Sequence, residues 1–483
     1  MKKVILFFVS FVASLTAAAQ SPHIYDQRNA LPSIGVVAAQ AISIDKEIQI
    51  GDALMRQLRG QAPIIMDPVL NEYLSDLGNR LVLEANDVKF PFSFFWINSN
   101  DINAFAFFGG HIGVHTGLVL AADTESELAS VVAHEISHVT QRHIARSIAA
   151  RQKSSGLQMA SMLGSLLLAI ASPEAGIAAL STTSAISNQM GINYTRSNEQ
   201  EADRVGFRIL SRAGFDPNGA ADFFGKLTAK YRSQSKPPAF LLTHPLPESR
   251  VADARSRQQQ APNRSIPPSL RFHLAKARIV ARFTGDAAYN VASFESQVNK
   301  KEYVFKEAAL YGLAISHLRN KSPQKALTII NELIKRDPEN LFYVDVLTDI
   351  LIELKRFQQA IDMLQRLDAK MPNNRVIALN LANTAKYQGD YLTATQTVKD
   401  FLLVEPEHML SYQLLTEAFG NNKQFLEMHQ AKAEWFALMA AYSNAIDELH
   451  AVYNYATQNH LEKQRIRARI EQFREAQAAL EKL

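Results

Sequence analysis

In the stretch VVAHEISHVTQRH, from Val131 to His143, His134 and His138 stand four apart with Glu135 beside the first. Two imidazoles one helical turn apart can share a metal ion, and a carboxylate that is not itself a ligand can take a proton from water on that ion. This is hydrolytic chemistry, and it requires a third ligand. A distal histidine of the H-E-x-x-H-x-x-G-x-x-H type is excluded, because Gln141 and Ile144 occupy the glycine and histidine positions. On a continuous helix His143 falls out of phase with the pair, and we expect it in solvent.

The element carrying the pair begins legibly. Thr124-Glu125-Ser126-Glu127 has the form of a capping box, which predicts a helix from Glu125, with Leu128, Val131, Val132, Ile136 and Val139 as its apolar face. A second helix is expected within YTRSNEQEADRVGFRILSRAGF, residues 194–215, ending near Gly214. It offers three acids. Glu199 and Asp203, one turn apart, share a face, whereas Glu201 points about 160° away from Glu199 and reads as solvated charge. The shared face can supply a carboxylate ligand, Glu199. One turn on, Asp203 can hydrogen-bond the free ring nitrogen of a ligating histidine, which fixes its tautomer.

Upstream, NAFAFFGGHIGVHTGL (103–118) alternates around Ile112 and Val114 as a strand does, and an edge strand there could bind an extended substrate backbone. Downstream, LLTHPLPESR places His244 before Pro245, which holds it in extended backbone. Two functional roles for His244 are open: donating to the oxyanion of a tetrahedral intermediate, or ligating the metal in place of water and leaving the enzyme latent. A plain surface position is the third possibility. Arg250 is expected to anchor this loop to an acid near the site.

HEISH followed by RSNEQEAD resembles the H-E-x-x-H and E-x-x-A-D pattern of the HtpX-like and CAAX prenyl endopeptidase family of metallopeptidases. The glycine pair before the active-site helix and the T-H-P-x-x-x-x-R element are similar too. The likeness runs from about residue 28 to the C-terminus, strongest over 103–250. It implies a zincin-type fold, one Zn²⁺ per chain on His134, His138 and Glu199, and Glu135 as general base.

At 483 residues the chain is too long for one ordinary core. Periodic patterning lapses in RQQQAPNRSIPPS (257–269), and beyond it Ala326, Ala360 and Ala394 recur every 34 residues, as do Pro338, Pro372 and Pro406. This period resembles the tetratricopeptide repeat, with a fourth, irregular repeat and a cap expected around Ala445. The expected architecture is mainly α with a small β-sheet: a signal peptide (1–19), a metalloprotease domain (20–260), a linker and leading helix (261–302), and an α-solenoid (303–483).

Lys2 and Lys3, an apolar run and Ala17-Ala18-Ala19 read as a cleaved secretory signal. With no cysteine in the chain, disulfides and a lipidated cysteine are excluded. A net charge of +4 gives no argument for nucleic acid. The apolar segment 157–171 is too short to span a bilayer; it reads as a buried helix, as a surface touching membrane or an apolar client, or as a lid. Export, repeats and the absence of long spans resemble a periplasmic member of the family. That likeness implies protein substrates, chiefly unfolded outer-membrane proteins, with the repeats docking the outer-membrane assembly machinery. The competing reading is a periplasmic chaperone or adaptor whose metal site is structural or latent. Glu135 argues against it, since a structural site has no use for a base.

Overall fold

The structure is a computed structural model that describes residues 42–151, 196–231, 240–241, 244–245, 248–260, 266–453 and 460–481. The expected signal peptide and the apolar segment 157–171 lie outside these residues. Among the described residues no helix is long and apolar enough to cross a membrane.

A four-stranded sheet lies at the centre of the catalytic half, in the order β1 (Ile64–Ile65), β2 (Ser93–Ile97), β4 (His111–His115), β3 (Ala104–Phe107). β2 and β4 are parallel, and the outer strands are antiparallel to their neighbours. Alternation sorts the side chains. Phe94, Trp96, Ala104, Ala106, Ile112 and Val114 join one core cluster, while Phe95, Ile97, Phe105 and Phe107 join another on the opposite face.

Helix α1 (Ile44–Gln61), capped by Ser43, lays Ile50, Leu54, Met55 and Leu58 on the phenylalanine face. It comes so close that a Cβ on Gly51 would stand 2.1 Å from the Phe108 carbonyl oxygen. Helix α2 (Pro68–Val82), capped by Asp67, covers the other face and accepts from Trp96 Nε1 at Leu70 O, 2.8 Å away. A short α3 (Thr116–Ala121) leads into α4 (Glu125–Thr140). The strand containing Ile112 and Val114 is therefore internal, not an edge. Among the described strands the edges are β1, two residues long, and β3, because β4 is paired on both sides by β2 and β3.

The C-terminal half is an array of helical hairpins. A leading pair, α9 (Leu270–Phe283) and α10 (Ala287–Lys300), lies in the stretch expected to hold a linker and a leading helix. Then come α11 and α12 (Lys306–Arg319, Pro323–Arg336), α13 and α14 (Leu341–Glu353, Phe357–Asp368), and α15 and α16 (Arg375–Gln388, Tyr391–Leu402). The array continues through α17 and α18 (Met409–Asn421, Phe425–Ala437) and ends in α19 (Tyr442–Tyr453) and α20 (His460–Glu481). Ala326, Ala360 and Ala394 are buried in the second helices, where a larger side chain would part the packed pair.

The 34-residue period also appears in the backbone: Lys321, Lys355, Gly389 and Lys423 turn successive hairpins with φ of 55°, 57°, 90° and 58°. A hairpin at 409–437 thus continues the series, and the one holding Ala445 follows it.

The two halves pack together. One buried cluster extends from Ile65 in the sheet through Phe272 and Ile279 to Val376. Arg278 is embedded there: Nε donates to both carboxylate oxygens of Asp67 at 2.9 Å, Nη1 to Tyr311 Oη at 2.8 Å, and Nη2 to Asp345 Oδ2 at 2.6 Å. Farther along the array, Asn374 donates to Glu72, and Arg56 pairs with Glu407. The array thus faces the catalytic half. A cleft of about 300 Å³ between them is lined by Asp67, Arg278, Arg282, Asp345, Asp349 and Asn380, among others.

Arg278→Ala would leave Asp67 and Asp345 buried without their shared cation. It is expected to destabilise the protein by about 3–5 kcal/mol, read by urea denaturation followed by circular dichroism.

Candidate active site

Helix α4 starts where the capping box predicts: Thr124 Oγ1 accepts from Glu127 N at 3.2 Å, and Glu127 Oε2 accepts from Asp123 N at 2.8 Å. Its register turns His134 and His138 to one side, with Nε2 atoms 3.0 Å apart. Helix α6 (Arg196–Arg212) crosses it at Gly206, where a Cβ would stand 3.2 Å from the Ala133 and His134 backbone. This close crossing brings the acids of α6 to the histidines of α4.

Glu199 Oε2 lies 3.5 Å from His134 Nε2 and Oε1 3.4 Å from His138 Nε2. Asp203 Oδ1 lies 3.1 Å from His134 Nδ1. Beyond α7 (Gly219–Tyr231), Arg250 on α8 (Glu248–Gln260) donates through Nε and Nη2 to Asp203 at 2.7 and 2.8 Å and through Nη1 to Pro245 O at 2.7 Å. Its Nη1 is also 2.7 Å from Glu199 Oε2. One guanidinium thus ties the His244 loop to both acids.

His244 is in the site, not on the surface. Its Nδ1 is 3.1 Å from Glu199 Oε1 and 3.3 Å from His134 Nε2, and its Nε2 is 3.5 Å from Glu135 Oε1. Phe240 stacks on the His244 ring at 4.9 Å, and its amide donates to Ile102 O just before β3. His134, His138, Glu199 and His244 are all buried and each offers a ligand atom within 4.8 Å of the others.

This donor set fits a divalent metal of the zinc type. Nitrogen atoms of three imidazoles and an oxygen of one carboxylate converge out of water, in the chemistry and number of a tetrahedral site. The Glu135 carboxylate is fully buried and neither oxygen has a well-formed hydrogen bond. The Ala106 amide and His244 Nε2 are its polar neighbours. A buried carboxylate left in that state suits a base whose partner is a water or a substrate proton.

The charges follow the same geometry. Burial raises the Glu135 carboxyl above the ordinary range, against the opposing pull of His244 and His134. Burial would also raise Glu199, yet the imidazoles of His244, His134 and His138 hold it far below the usual carboxylate range. For Asp203, Arg250 and His134 likewise outweigh burial and lower the carboxyl. His138 is pushed well down by burial. Burial would do the same to His134, but the carboxylates of Asp203 and Glu199 overcome it and raise the ring to about 10.

A metal held by these residues would compete with a proton for the His134 ring, whose proton affinity the two carboxylates raise, whereas burial lowers that of His138. Metal uptake is expected to release about one proton at neutral pH, and log K to rise by about one per pH unit across the neutral range and to level off above about 10. Affinity falls as acid restores the proton. Calorimetric titration in buffers of different ionisation enthalpy measures the release.

Two expectations fail here. His143 is fully buried rather than solvated: its Nδ1 is 2.9 Å from His138 Nδ1 and its Nε2 is 3.1 Å from Glu201 Oε2. A continuous helix would carry His143 away from the pair, but α4 stops at Thr140. Arg142, at φ 52°, reverses the chain into α5 (His143–Arg151). Arg142 is held in that conformation by Glu47, which accepts from its Nε at 2.7 Å, and by Ile42 O, which accepts from Nη2 at 2.6 Å.

Glu201 does point away from Glu199, but into His143 and Arg146, not into water. Those two partners bring its carboxyl down to about 2. The signal available in the sequence was the acid-and-base complementarity of His143, Arg146 and Glu201, visible only once α5 is known to fold back.

Residues 68–258 match peptidase family M48. A protein of Vibrio cholerae is 46% identical over 92% of each chain. The beta-barrel assembly-enhancing protease of Escherichia coli strain K12 is 40% identical over 97% of this chain and 96% of its own. Its namesake in Yersinia pestis is 38% identical over 95% of each. With likeness extending over nearly the whole length and the helices that carry His134, His138 and Glu199 inside the matched region, this chain belongs to the M48 family of metallopeptidases.

Proposed function

We propose that the protein is a zinc-dependent endopeptidase of the bacterial periplasm that acts on misfolded or stalled outer-membrane β-barrel proteins and assists their assembly. The observation that carries the reading is the buried cluster of His134, His138 and Glu199 with the unsatisfied Glu135 carboxylate beside it. The relatives' shared name, beta-barrel assembly-enhancing protease, supports the client class.

In this reading His134, His138 and Glu199 hold Zn²⁺, which when bound supplies Lewis acidity to a peptide carbonyl and lowers the pKa of water. Glu135 accepts the proton of the attacking water and returns it to the leaving amine. Asp203, 3.1 Å from His134 Nδ1, would steady that ring, and Arg250 fixes Asp203. The free edge of β3 offers an extended substrate the backbone pairing that β4 cannot, with the Ala106 amide next to Glu135.

His244 takes the place of a fourth ligand, which favours the latent resting state over the oxyanion role. The helical array is read as tetratricopeptide repeats that present clients or the outer-membrane assembly machinery to a cleft facing the catalytic half. No part of this reading involves nucleic acid.

The test is metal content together with cleavage of an unfolded and a folded outer-membrane β-barrel protein. Stoichiometric zinc with chelator-sensitive cleavage of the unfolded form alone is expected. Zinc with no cleavage of either form, even after His244→Ala, would transfer the function to the chaperone reading.

A further inference from the structure

We infer that His143, backed by Glu201 and Arg146, is the positioning residue that orients the His138 ring toward the metal, a support distinct from the Asp203 and Arg250 arm behind His134. This rests on the metal-site reading above.

His138 Nε2 faces His134 Nε2 and Glu199 Oε1, so it is the atom that must offer a lone pair, and the ring proton of neutral His138 then resides on Nδ1. His143 Nδ1 stands 2.9 Å from that Nδ1. Two ring nitrogens at this separation share one proton, so His143 Nδ1 accepts and its own proton is on Nε2. Glu201 Oε2, 3.1 Å from that Nε2, accepts in turn, and Arg146 Nη1 donates to the same oxygen at 2.9 Å.

With His138 Nε2 as the ligand atom and both rings neutral, this is the one tautomer set that fits. A proton on His143 Nδ1 would meet the His138 Nδ1 proton head-on. The two zinc histidines are therefore supported unequally. His134 faces a carboxylate directly at 3.1 Å, whereas His138 reaches one only through an intervening imidazole. Such partners hold the ligand ring at the angle the metal needs and lower the entropy lost on binding.

The test uses the full mature chain and Zn²⁺ competed against a chromophoric chelator, with the visible spectrum of the Co²⁺-loaded protein as a second readout. His143→Leu removes the acceptor and is expected to weaken Zn²⁺ binding by roughly 10- to 100-fold and to alter the Co²⁺ bands. His143→Asn, whose amide oxygen can take the place of Nδ1, is expected to return affinity to within about threefold of the parent. A general packing role would not distinguish the two.

Equal affinity of His143→Leu and the parent, at matched metal-free melting temperatures, would overturn the inference, as would an asparagine variant as weak as the leucine one. If His143→Leu does not fold, Glu201→Gln carries the test: a loss of about threefold or more is expected, and unchanged affinity counts against the relay. A parent protein that binds no stoichiometric Zn²⁺ would refute the metal-site reading itself.

Discussion

Glu135→Gln is expected to lower peptide-bond cleavage by roughly 10²- to 10⁴-fold while leaving the metal content of the protein unchanged. The side chain is isosteric and fully buried, and it contributes no atom to the ligand cluster of His134, His138, Glu199 and His244, so metal binding has no reason to respond. What the amide loses is the capacity to take a proton. The carboxylate has that capacity in unusual measure, because burial raises its affinity for protons and neither oxygen is committed to a good hydrogen bond. Single-turnover cleavage of an unfolded protein, with metal content measured on the same sample, is the decisive pair of measurements. Full activity in the variant would remove Glu135 from the mechanism.

His244→Ala has the second large expected effect, with the opposite sign. The imidazole lies 3.3 Å from His134 and 3.1 Å from Glu199, in the space a water or a substrate carbonyl has to enter. If it closes the site in the resting protein, removing it should raise cleavage by roughly 10- to 100-fold, corresponding to a parent that is open about 1–10% of the time. If it serves instead as an oxyanion donor, the same variant should lose roughly 10²- to 10³-fold. The two roles therefore predict changes of opposite direction in one assay. Phe240 stacked on the ring and Arg250 bonded to Pro245 O hold His244 where it is. Removing the Phe240 ring, which touches His244 but neither acid, should shift activity the same way as His244→Ala, by a smaller factor.

Much of the site was legible because it obeys helical arithmetic. The spacing of His134 and His138, the capping box at Thr124 and the shared face of Glu199 and Asp203 are all local, and a helix repeats every 3.6 residues wherever it sits. The same arithmetic misplaced His143, because its position depends on where α4 ends. That end depends on Arg142 being held in a left-handed conformation by Glu47, which is remote in sequence. Strand alternation was equally readable at Ile112 and Val114, but whether that strand is an edge is a property of its neighbours. β3 and β2 take both sides of β4.

The 34-residue period announced the hairpins through alanines and prolines, since only small residues fit between packed helices. It did not announce Arg278, whose buried charge makes sense only with Asp67 and Asp345 brought to it from distant parts of the chain. By itself the sequence determined the set of groups and their local spacing: two imidazoles and three carboxylates on helices of known phase, ahead of a repeating helical array. Tertiary structure alone decided which faces meet. The close crossing at Gly206 delivers Glu199 to the histidines, the turn at Arg142 places His143 behind His138, and the array folds back on the catalytic half. Each of these depends on contacts between residues far apart in the chain, which local periodicity cannot encode.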